Sequence, residues 1–198
     1  MTIESRTGFR SSWARANAAA LHGSQSMWLI GVNYNEPMLA LRYAALLALA
    51  VWVGGLIALA AVVAPAMFDV LGSIGTSGRL QAATVFAEVL RRFDRIAYIC
   101  SGVILASLAA RAVLGPRPRR FALRASIAGL MLAATAWTGF VVTPRIAKLQ
   151  REIGGLPSSL PHDDVRRSEF VRLHRLSTTL ALVPLAGGFA LLFWELKD

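Results

Sequence analysis

A single cysteine, Cys100, in 198 residues leaves no room for an intrachain disulfide framework or a cysteine metal centre. Placed inside an apolar run, it reads as a small buried hydrophobe. Acidic residues are also scarce, 11 against 21 basic ones, and the formal net charge is +10. Such an excess suggests nucleic acid in a soluble protein, but only two of the 21 cations are lysine, and neither an aromatic-interleaved basic strand nor a zinc-finger spacing is present. Nucleic acid is therefore not the expected partner, and anionic lipid headgroups are. The glycines Gly72, Gly75 and Gly78 lack the lysine that a phosphate loop requires. No serine or cysteine has a base and an orienting third group at a recognised spacing, so the chain does not read as an enzyme. Residues 1–37 contain no apolar stretch long enough for a signal-peptide core, which leaves the first span as its own insertion signal.

What the chain has in quantity is apolar sequence, 56% of residues, with a mean hydropathy of +0.54. It falls in blocks. Residues 43–68, 125–144 and 176–194 are uncharged over 26, 20 and 19 positions, where about 20 residues cross a 30 Å hydrocarbon core. A fourth run, 96–110, has only 15, but Arg95 and Arg111 at its ends can snorkel towards the headgroups. The expected fold is all-α: a four-span transmembrane helical bundle, with spans at about 43–68, 94–114, 123–147 and 173–195. In the longer loops, Leu80, Ala83, Phe86 and Leu90, then Ile146, Leu149 and Ile153, fall at helical spacing and predict amphipathic interfacial helices. Gly154 and Gly155 stop the second of these, and Asp163 or Asp164 caps a further short helix carrying Val165, Phe170 and Leu173. Residues 1–37 read as a loosely attached arm and 38–198 as one membrane domain. Four spans put both termini on one side of the cell (inner) membrane. The basic residues divide ten to eleven between the sides, and the denser short loops favour cytoplasmic termini.

Small residues every four positions mark helix-packing faces in lipid, here Gly54 with Ala58, and Ala125 with Gly129 and Ala133. Pro65 and Pro144 fall near helix ends, whereas Pro184, followed by Gly187 and Gly188, predicts a kink in the fourth span. Asp94, three residues after Arg91 and next to Arg95, reads as an interfacial ion pair. His174 lies at a membrane boundary between Arg172 and Arg175, an anchor position from which a metal or haem ligand is also conceivable, with Met67 as the second ligand. The expected cofactor content is none.

Trp52-Val53-Gly54-Gly55 followed by Pro65-Ala66-Met67-Phe68, then Pro144-Arg145-Ile146 with Leu149, then Phe170 with Leu173, His174 and Ser177, resembles the bacterial relatives of transmembrane protein 205, grouped as domain of unknown function 4149. This resemblance covers about residue 41 to the C-terminus and implies a four-helix membrane protein without an agreed activity. Arg92 to Ala97, taken with Trp52 to Gly55, also resembles the membrane domain of copper resistance protein D, which implies metal handling. Five scattered methionines depart from a copper pathway. Trp52-x-Gly54 ahead of Pro65, and Trp137-x-Gly139 ahead of Pro144, echo each other as a duplicated hairpin would. Three function classes follow. The first is a structural or accessory subunit of a membrane assembly, with other membrane subunits or a homo-oligomer as its setting, which needs no buried ligand set. The others are a transporter for metal or small solute and a haem-binding redox protein.

Overall fold

The computed structural model describes residues 35–114 and 120–197. The chain divides into two units, 1–39 and 40–198. Of the first, only residues 35–39 are described, all helical, so the arm expected over 1–37 lies almost wholly outside the described residues. The short connection between the second and third spans, 115–119, also lies outside them.

The described residues from 40 onward are helical almost throughout. The helices are α1 (Asn35–Ala58), α2 (Ala64–Gly72), α3 (Thr76–Leu114), α4 (Phe121–Trp137), α5 (Thr143–Ile153) and α6 (Val165–Lys197). Among the described residues, four continuous helical stretches are long and apolar enough to cross a membrane: Met38–Gly72, Thr76–Leu114, Phe121–Ile153 and Val165–Lys197. All four expected spans are present, and each is longer than its uncharged run. At 1.5 Å per residue the 39 residues of α3 extend about 58 Å, nearly twice the hydrocarbon core. The amphipathic stretches read from the loops are helical, but each is continuous with its span. Nothing breaks α3 between Thr76 and the membrane, because the glycine turn ends at Gly75, whose φ of +96° closes the hairpin. Gly154 stops α5 in the left-handed conformation, with its N–H donating to the Gln150 carbonyl. Asp164 begins α6 by accepting the Arg166 backbone N–H at 2.8 Å. The Arg166 side chain, hydrogen-bonded to the same carboxyl, holds Asp164 below the usual carboxylate range.

Two π-helical turns join the paired helices: Leu59–Val63 between α1 and α2, and Thr138–Val142 between α4 and α5. Each ends one residue before a helix whose second residue is proline, Pro65 or Pro144. A proline offers no N–H to the carbonyl four residues earlier, here Ala61 and Phe140, and its ring crowds that carbonyl. Both carbonyls lie inside the wide turns, which take up the misfit. Pro65 and Pro144 thus stand at the first turns of α2 and α5, which continue their spans to Gly72 and Ile153. Pro184 is buried inside α6, and the helix passes through it without an unwound stretch. The duplicated hairpin thus has a structural counterpart: span, π-turn, proline, extension, turn and long return helix occur twice.

The core between the spans is built from Leu49, Trp52, Ala97, Ile104, Leu108, Met131 and Leu191. Glycines set the close approaches. A methyl group on Gly55 would lie 2.3 Å from the Phe93 ring, tying α1 to α3. On Gly188 it would lie 2.3 Å from Val53, tying α6 to α1, and on Gly187 it would lie 2.8 Å from Met131, tying α6 to α4. The fourth contact, Gly139 against Tyr98 at 2.6 Å, joins the second π-turn to α3. Gly187 and Gly188 therefore serve packing. Gly54 and Gly129 meet nothing within 4 Å, and Ala58 and Ala133 are exposed. The packing face of α4 is instead lined by Ala128, Met131 and Thr135.

Candidate functional site

Each span brings one charged residue to the same end of the bundle: Arg42 on α1, Arg111 on α3, Arg124 on α4 and Glu195 on α6. Glu195, 4% exposed, accepts Arg111 through both oxygens at 2.9 and 3.1 Å and Arg124 at 3.0 Å. Arg42 donates to the Glu195 carbonyl and lies 3.7 Å from its carboxylate. Arg124, 2% exposed, also donates to the Trp194 carbonyl. One carboxylate therefore fastens all four spans at one level. Arg111 does not snorkel to the headgroups but turns inward. Sequence reading missed this knot because Glu195 follows the last uncharged run and was counted as outside it. The available signal was the coincidence of Arg42, Arg111, Arg124 and Glu195 at four span ends on one side.

Towards the other end the spans part around a cavity of about 740 Å³. Its walls are apolar and aromatic, with Trp52, Leu56, Leu59, Phe86, Leu90, Phe93, Phe170, Leu180 and Leu185 among them. Among the described residues, Asp94 is the one carboxylate in the lining. The expected pairing of Asp94 with Arg91 does not form. Arg91 and Arg92 bind Glu88 instead, at 2.7 and 2.8 Å, because a carboxylate three and four positions before them lies on their face of the helix. Asp94 faces inward, and no hydrogen bond or ion pair holds it among the described residues. Around it, the Gly139 backbone lies close enough that an added methyl would stand 3.3 Å from Oδ2. Tyr98 stacks on Phe140 at 5.7 Å, which fixes the same corner. Thr135 and Thr138 also line the cavity, and their hydroxyls donate to the carbonyls of Met131 and Ala134 at 3.0 and 2.9 Å. Those protons are committed, so both oxygens remain acceptors. Arg79, Gln150 and Arg167 line the part formed by the helix extensions.

The residues singled out in sequence serve two purposes here. Val142, Leu149 and Leu173 form a second buried cluster, with Ile146 and Phe170 packed against it, so much of the motif holds α5 to α6. Phe68 meets Phe86 edge-on at 6.3 Å and does the same for α2 and α3. Trp52, Phe68, Ile146, Phe170, His174 and Ser177 line the cavity. His174 is exposed and stacked on Phe170 at 6.1 Å, while the cavity lining does not include Met67. Among the described residues, no three His, Cys, Asp or Glu side chains stand close enough to hold a metal ion.

Known proteins bear on this arrangement in one respect. No curated protein and no solved structure matches the chain, and the narrower likenesses to transmembrane protein 205 and copper resistance protein D have no match behind them. One family model, described as "Domain of unknown function (DUF4149)", matches residues 47–154. The matched segment takes in both π-turns, Asp94, Tyr98, Gly139, Arg111 and Arg124, and stops before α6. By that match over more than half its length, the chain belongs to the domain of unknown function 4149 family.

Proposed function

We propose that this multi-pass membrane protein binds a largely apolar small molecule between its spans, and so handles a solute rather than catalysing a reaction. The observation that carries this is the 740 Å³ cavity, whose volume is that of a site for a drug-sized ligand and whose lining is apolar with a few placed polar groups. Of the three function classes, it favours solute handling. The absence of three clustered metal ligands among the described residues turns that reading from metal to organic solute. The membrane is the cell (inner) membrane, with cytoplasmic termini and anionic headgroups around the basic loops.

Pyrenebutanol tests the reading with the full chain in nanodiscs, by pyrene emission excited through the protein's tryptophans. Saturable binding of one probe per chain is expected, reduced at least tenfold by Ala83→Phe or Ser177→Phe, which add bulk to the lining. Emission that rises without saturation, and equally in these variants, would mean partition into lipid and would remove the cavity as a binding site. The accessory-subunit reading draws on a different observation, the exposed small-residue face of Gly54 and Ala58, which offers a flat surface to another helix. A stable partner retained through purification, and lost in Gly54→Leu, would favour it.

A further inference from the structure

We infer that the ligand of this cavity is an organic cation: a free amine whose ammonium group sits against Asp94 while its apolar body fills the space between the spans. The inference rests on the cavity reading and adds a charge to it. Three observations carry it. First, the lining is asymmetric. Its carboxylate is Asp94, whereas its cations, Arg79 and Arg167, belong to the helix extensions. Arg79 lies fifteen residues before Asp94 on the same helix, about 22 Å away at 1.5 Å per residue. Second, Asp94 forms no hydrogen bond or ion pair among the described residues: Glu88 holds Arg91 and Arg92, and the adjacent Arg95 is exposed. A carboxylate taken out of water into an apolar cavity without a partner is costly, so a cation there is bound strongly. Third, two hydroxyls in the same lining act as acceptors, and the Tyr98 hydroxyl in the Gly139 corner can accept as well as donate. Thr135 and Thr138 have committed their protons to backbone carbonyls and turn lone pairs to the cavity. Carboxylate and hydroxyl oxygens without a donor suit an ammonium group, and the Trp52 and Phe93 rings in the same lining suit a cation's face-on approach. His174, also in the lining, stands on α6 stacked against Phe170.

The volume suits one drug-sized body, so the occupant is a free amphiphilic amine and not a two-chain lipid. Three probes of one shape test this in the same nanodisc assay: pyrenebutylamine, pyrenebutanol and pyrenebutyrate. A hydrogen-bonded ion pair in a desolvated site implies an amine affinity about tenfold or more above that of the alcohol, with the carboxylate weakest. Asp94→Asn should bring the amine-to-alcohol ratio to about one, and Asp94→Glu should keep it well above one. Equal binding of amine and alcohol to the unaltered chain would overturn the cation and leave the cavity standing. Failure of all three probes to bind would overturn both readings. If Asp94→Asn does not fold, the three probes on the unaltered chain still decide the matter. Displacement of the amine by phosphatidylethanolamine in the nanodisc would overturn the free-amine assignment in favour of a lipid headgroup.

Discussion

Single residues fix this bundle in two ways, by charge at one end and by missing side chains along the middle. Glu195 is the only carboxylate in contact with Arg111 among the described residues and one of the groups that hold Arg124. Removing one member of a buried ion pair costs about 3–5 kcal/mol, because the remaining charge loses its compensation in a medium where water cannot replace it. Glu195→Gln should destabilise the protein by roughly that amount, measured by thermal unfolding in mild detergent. Arg111→Ala should add little to it, since the two share one interaction. Unfolding temperatures that fall by the full sum of the single variants would show that the knot is not a unit. The glycines give a sharper contrast. Gly188→Ala drives a methyl into Val53, whose β-branch leaves it little freedom to turn, and should cost about 1–3 kcal/mol. Val53→Ala in the same chain should recover most of that. Gly54→Ala meets open space and should be neutral or stabilising by up to about 1 kcal/mol. Equal losses at Gly54 and Gly188 would refute the assignment of packing faces.

Among the elements, what was readable in sequence follows from contrast. Spans stand out because charges bound them, and the positions of all four were legible from that alone. Which face of a span meets another helix was not, since Gly54 and Gly55, or Ala133 and Ala134, are equally small and apolar and the pattern has no polar side to orient it. The loops' amphipathic stretches were legible as helices, but their continuity with the spans was not, because charges such as Arg91 and Arg95 ended the run without ending the helix. Asp94 was visible, yet sequence neighbours suggested Arg91 as its partner, whereas Glu88 takes Arg91 and the helical phase places Asp94 in the cavity wall. The π-turns were the least legible elements, as proline marks the misfit without saying how the backbone absorbs it. A π-turn is one residue more than an α-turn needs, so deleting Val141 should convert Thr138–Val142 to α-helix while both flanks keep their phase. The bundle should still fold, with an unfolding temperature within a few degrees of the original. Probe binding should be lost, because the Phe140 that stacks on Tyr98 and the Gly139 beside Asp94 would rotate away. Retained binding in the deletion variant would show that the π-turn does not shape the site.

For the whole molecule, the decisive property is orientation. The Glu195 knot joins residues from the start of the first span, the end of the second, the start of the third and the end of the fourth. Four ends can meet at one level only if the helices alternate in direction, which predicts that the ends of α3 and α6 face the same side of the membrane. Reporter fusions at residue 118 and at the C-terminus should therefore report the same side, and a fusion at residue 158 the other. Agreement between 118 and 158 would mean that the α4–α5 helix does not cross, and the knot would then have to join groups on opposite faces of the bilayer. The absolute direction rests on a weaker force. The terminal side holds ten cations and the other side eleven, but five of the ten lie within the short stretch 111–124, where positive charge opposes translocation most effectively. Cytoplasmic reporters at 118 and the C-terminus are the expected result. The reverse pattern, with 118 still agreeing with the C-terminus, would keep the bundle and invert it, and an amine would then reach Asp94 through the extended helices from the cytoplasm.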